Sequence, residues 1–82
     1  MEKFTIELIV ANKYGVLNRI TALYAKRGYN IDSLYCHAID DANVSRLLIT
    51  STGDEYIRTQ IVRQISKLYD VKKVFLMSQV PI

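Results

Sequence analysis

The chain has 82 residues, half of them hydrophobic, a formal net charge of +3 and a single cysteine. That length leaves room for one small domain, taken as residues 1–82 with a core at 3–77, and none for a separate catalytic domain. A chain this short buries only about 60–65% of its unfolded surface, so its high apolar content points to an oligomer. Basic residues never run longer than the pairs Lys26-Arg27 and Lys72-Lys73, which argues against nucleic acid as a partner. The lone Cys36 rules out an intrachain disulfide and suits a reducing cytoplasm. No signal peptide and no apolar run of membrane-spanning length are present, so no membrane partner is expected.

Residues 3–11 alternate, with Phe4, Ile6, Leu8 and Val10 on one face and Thr5, Glu7, Ile9 and Ala11 on the other. A period of two with one apolar face predicts a strand. Next, Asn12-Lys-Tyr-Gly15 forms a turn into a helix from Val16 to Arg27. Its apolar positions, Val16, Leu17, Ile20, Leu23 and Tyr24, lie three and four apart in one stripe. Gly28 is the expected left-handed stop, and Lys26 and Arg27 suit the negative end of the helix dipole.

A second strand is predicted over 30–38, with Ile31, Ser33, Tyr35 and His37 on one face. Asp40-Asp41-Ala42-Asn43 is turn chemistry, and β-branched residues make 44–52 a third strand, antiparallel to the second. Gly53-Asp54 breaks the chain. The spacing of Ile57, Ile61, Ile65 and Leu68 predicts a second helix over 55–69, and Val71 to Met77 is the last strand. The order strand, helix, strand, strand, helix, strand gives an α+β, ferredoxin-like βαββαβ fold. It is a four-stranded antiparallel sheet with both helices on one face. The other face, with Ile9, Tyr35 and Phe75, has nothing left to cover it. Pairing edges or faces with a second copy would hide it, so a homodimer or higher homo-oligomer is expected.

The most informative stretch is the turn at Asn12 to Gly15. The first N–H groups of a helix lack an internal acceptor and attract a carboxylate or phosphate. Gly15 lets the backbone adopt conformations closed to other residues and lets a ligand approach. Asn12 could cap the helix or hold both ends of an amino acid. On these residues alone, an ordinary capped turn is the favoured reading.

No catalytic constellation emerges. Cys36 and His37 are adjacent in a strand and point to opposite faces, so they cannot act as nucleophile and base; Cys36 reads as a small buried hydrophobe. A zinc site within one copy lacks ligands, since the chain has no second His or Cys. Asp32 and Asp54 stand where carboxylates cap elements. An RNA-binding module on this fold would carry stacking aromatics on its central strands, and the third strand has none.

The segment Ala11-Asn-Lys-Tyr-Gly-Val-Leu-Asn-Arg-Ile20, continuing at Lys26-Arg-Gly-Tyr-Asn-Ile-Asp-Ser-Leu34, resembles the ACT domain of acetolactate synthase (acetohydroxyacid synthase) regulatory small subunits. Ser45-Arg46, Gly53-Asp54 and Gln64 to Val71 fit the same pattern in order. The resemblance implies a non-catalytic domain that pairs with a second copy and binds valine or a related amino acid where the copies meet. It implies feedback control of a thiamine-diphosphate-dependent catalytic subunit in branched-chain amino-acid synthesis. The thiamine diphosphate, FAD and Mg belong to that partner, and this chain carries no cofactor of its own. By the same resemblance, the ligand is held by Asn12, Gly15, Val16 and Leu17 of one copy and by Asn30 and Ile31 of the other. Two departures stand out. The family carries a second domain of similar size, whereas this sequence stops soon after the fourth strand, and Cys36-His37-Ala38-Ile39 replaces a usual Gly/Ala-Pro. The alternative readings are a stand-alone amino-acid-binding module acting on another enzyme or transcription factor, and an assembly module with a vestigial pocket.

Overall fold

Alternation in the first strand decides the layering. The computed structural model describes residues 2–39 and 43–77. Strand β1 (Glu2–Ala11) leads through α1 (Val16–Lys26) to β2 (Ser33–Ile39), and then come β3 (Val44–Gly53), α2 (Glu55–Ser66) and β4 (Val71–Leu76). The sheet order is β2-β3-β1-β4 with every neighbouring pair antiparallel. This is the expected ferredoxin-like arrangement.

Ile6 lies opposite Ile49 and Leu8 opposite Leu47, so the apolar faces of β1 and β3 are one surface. Phe4, Ile6, Leu8, Val10, Leu47 and Ile49 form the core there with Val16, Ile20 and Tyr24 of α1 and Ile61 and Ile65 of α2. Full burial of each such aliphatic side chain contributes about 1.5–3 kcal/mol. Both helices therefore sit on one face. Ile9, Tyr35 and Phe75 fall on the other, where an Arg46–Glu7 ion pair and a Thr5–Thr50 hydroxyl contact at 2.9 Å join β1 to β3.

The helix ends follow local chemistry. Gly28 has φ +74° and stops α1 as expected. The Asp54 carboxylate accepts the Ile57 N–H at 2.9 Å and caps α2, a contact that contributes about 1 kcal/mol. Helix α2 is shorter than its periodicity predicts and ends at Ser66 instead of Tyr69. Bonds from Lys67 N–H to Gln64 O and from Leu68 N–H to Ile65 O tighten the last turn, and Leu68 packs on the core from outside the helix.

Two further expectations are corrected. Strand β2 begins at Ser33, not Asn30. The Asp32 carboxylate takes hydrogen bonds from Asn30 Nδ2 (2.8 Å) and Thr52 Oγ1 (2.6 Å), and such local bonds compete with a ladder. Cys36 is exposed, not buried, because β2 is an edge strand exposed on both faces through Ala38. Tyr35 and His37 do share a face, stacked at 6.2 Å, so Cys36 and His37 diverge. Asp40, Asp41 and Ala42 of the expected turn lie outside the described residues.

The core holds one polar pair. Burial pushes the Tyr24 phenol above its usual range, offset in part by the adjacent Ser51 hydroxyl, although neither oxygen has a partner of ordinary hydrogen-bond geometry. A pKa raised on folding leaves stability intact below the unfolded tyrosine value of about 10 and removes it above. The slope is about 1.4 kcal/mol per pH unit. Thermal melts followed by circular dichroism should therefore fall steeply above pH 10. Tyr24→Phe should flatten that fall while changing neutral-pH stability by no more than about 1 kcal/mol.

Candidate functional site

Strand β1 delivers the chain to the first loop, and main-chain bonds hold that loop on two sides. Ala11 N–H donates to Asp70 O at 2.9 Å, and Asn12 N–H to Asn43 O at 3.0 Å. Gly15 occupies the N-cap position of α1 with φ +85°, a conformation that costs other residues about 1–2 kcal/mol. Having no side chain, it leaves the helix donors open to an approaching anion, and the first turn holds no acidic residue. Val16 is buried and its N–H donates to Lys13 O at 3.3 Å. Its side chain therefore belongs to the core and not to the loop surface. Leu17, expected within the buried stripe, is 38% exposed beside the loop. Tyr14 is fully exposed.

Sequence reasoning missed Arg19 and Asp70. Arg19 is one helical turn beyond Gly15, and its Nη1 lies 3.4 Å from where a Cβ on Gly15 would stand. The same guanidinium pairs with the Asp70 carboxylate, which is mostly buried. A cation thus lies across the glycine, held by the turn that precedes β4. The spacing Gly15 to Arg19 is visible in the sequence, whereas the partner 51 residues away is not.

Asn30 and Ile31 lie elsewhere. Ser33 of β2 is level with Thr50, and Thr50 with Thr5 near the start of β1. The first loop follows Ala11 at the other end of that strand, six residues or about 20 Å away. Within one chain, Asn12, Gly15 and Leu17 come together, and Asn30 and Ile31 remain apart from them. Asn30 is exposed and Ile31 packs against the core. Among the described residues, no group of three or more His, Cys, Asp or Glu could hold a metal ion. No helix among them is long and apolar enough to cross a membrane.

A βαββαβ domain with a glycine-opened loop after its first strand is an ACT-type domain. The solved ACT domain of GTP pyrophosphokinase from Chlorobium tepidum shares the fold (TM-score 0.78, 20% identity, 95% of this chain and 88% of that one). The chain belongs to the AHAS small subunit-like ACT domain family, which matches residues 6–73. It is 39% identical over 74 residues to the Escherichia coli acetolactate synthase isozyme 3 small subunit, covering 90% of this chain and 45% of that protein. It is 37% identical to the Aquifex aeolicus acetolactate synthase small subunit over 99% of this chain and 42% of that protein. The crystal structure of the Thermotoga maritima acetolactate synthase small subunit superposes with a TM-score of 0.90 at 33% identity, covering 99% of this chain and 50% of that one. The chain therefore spans about half the length of the relatives it matches.

Proposed function

We propose that this chain is a regulatory domain of acetolactate synthase, without catalysis of its own, working as a pair that binds valine or a related branched-chain amino acid. The observation that carries this reading is the separation of Asn12–Gly15 from Asn30–Ile31 along the sheet. A two-fold axis beside β2 closes that gap. Antiparallel pairing of two β2 edges sets the start of one strand against the end of the other, and Ile39 at that end pairs with Val44 near the first loop. Asn30 and Ile31 of one copy then approach Asn12, Gly15 and Leu17 of its partner. The ligand carboxylate meets the helix donors and the Arg19 guanidinium, and Asn12 and Asn30 hold the ammonium group.

Edge chemistry favours β2 over β4. Strand β2 (Ser33–Ile39) carries no Lys, Glu or Pro, whereas β4 carries Lys72 and Lys73 and an irregular register. Charges and bulges are the devices that keep an edge from pairing. Asp32 N–H points inward to Thr50 O at 2.8 Å. The Thr50 carbonyl thus faces β2 and pairs in register with Ser33, so alternation bonds Tyr35, His37 and Ile39 to β3 and turns the N–H groups of Leu34, Cys36 and Ala38 outward. A full-length pairing centred on Cys36 matches Tyr35 with the partner copy's His37 and puts the two Cys36 side chains face to face. Mild oxidation should give a covalent dimer on non-reducing gels, absent in Cys36→Ser.

In this reading the pair acts in the cytoplasm on a thiamine-diphosphate-dependent catalytic subunit, and coupling between ligand and catalytic subunit is reciprocal. Isothermal titration with valine, leucine and isoleucine, with serine as control, tests it. Saturable valine binding lost in Asn12→Ala is the expected result. Absence of binding by all three would remove the sensor.

A further inference from the structure

The end of the sheet that carries the first loop also carries a cleft of about 530 Å³, well within the size range of small-molecule sites. Its floor is Ala11 and Val44, and its walls come from three separate turns: Lys13, Asn43, and the segment of Tyr69, Asp70 and Lys72. These turns are fastened to one another by the Ala11–Asp70 and Asn12–Asn43 main-chain bonds. The cleft is therefore a fixed feature of the fold.

Its charge is unbalanced among the described residues. The one carboxylate on its wall, Asp70, is already paired with Arg19. Lys13 and Lys72 have no acidic partner among the described residues. Lys72 is placed there by an irregularity: opposite β1 the register passes from Ile9–Lys73 to Val10–Val71, so Lys72 is the extra residue of a bulge. Bulges re-aim a side chain that a regular ladder would point elsewhere. The exposed ring of Tyr69 stands at the same cleft.

We infer that this cleft is a second ligand site, for a small anion carrying two or more negative charges, of the phosphate or polycarboxylate class. Two ammonium groups on one cleft repel until an anion lies between them, and a doubly charged ligand satisfies both. Asn43 adds a neutral donor, and Tyr69 offers a face to any planar group attached to the anion. The inference stands on Lys13 and Lys72 and is independent of the amino-acid reading. Where both hold, Lys13 lies next to Asn12 and the two ligands sense each other.

Isothermal titration with pyrophosphate and with citrate, at matched chloride ionic strength, tests the site. One anion should saturate at one equivalent per chain, and the preferred probe identifies the source class. Lys13→Ala and Lys72→Ala should each weaken binding at least about tenfold, with Lys26→Ala, at the far end of α1, unchanged. All three lysines are exposed, so equal thermal midpoints will confirm folded variants. No saturable binding by either anion, or an equal loss in Lys26→Ala, would overturn the inference.

Discussion

Replacing Gly15 by aspartate is expected to weaken valine binding by at least about 100-fold while the pair of subunits persists. The backbone at Gly15 has φ +85°, which aspartate adopts at a cost of about 1 kcal/mol, less than most residues pay. The fold therefore survives. The new Cβ would stand 3.4 Å from Arg19 Nη1, and its carboxylate would turn toward that guanidinium and the helix donors. It then occupies the place proposed for the ligand carboxylate and repels an incoming one. Titration with valine, beside sedimentation analysis of the pair, separates the two effects. Unchanged affinity would remove the first loop from the site.

A second large effect is expected from Cys36→Pro. Its N–H points away from β3: Thr50 O faces β2 and Ser33 is its register partner, so Ser33, Tyr35 and His37 bond inward and Cys36 between them bonds outward. Proline there breaks no bond of the β2–β3 ladder. It removes an outward donor and places a ring against any approaching strand. Subunit association should weaken by about 100-fold or more, with the monomer's thermal stability little changed. Amino-acid binding should fall with it, because the proposed site needs Asn30 of one copy to face Gly15 of the other. A variant that stays paired and binds ligand normally would show that β2 is not the joining edge. Pairing lost with full ligand affinity would show that one copy holds the whole site.

The element order, the buried face of β1 and the stops at Gly28 and Asp54 were all legible in the sequence. Period-two and period-3.6 patterns, left-handed glycines and caps are set by residues within a few positions of one another. So was the first loop, since a glycine at a strand-to-helix junction announces itself locally. What the tertiary structure alone decided involves residues far apart in the chain. Cys36 has the composition of a buried residue, yet it is exposed because the helices do not reach over β2. Leu17 fits the apolar stripe of α1 but emerges beside the loop. Arg19 finds Asp70 and Lys13 joins Lys72 across one cleft, because the crossovers return three turns to the same end of the sheet. The same crossovers carry Asn30 to the opposite end from Asn12. Periodicity fixes which face a residue takes, whereas strand order and direction fix which end of the sheet it reaches, and only the second determines whether one copy can complete the site.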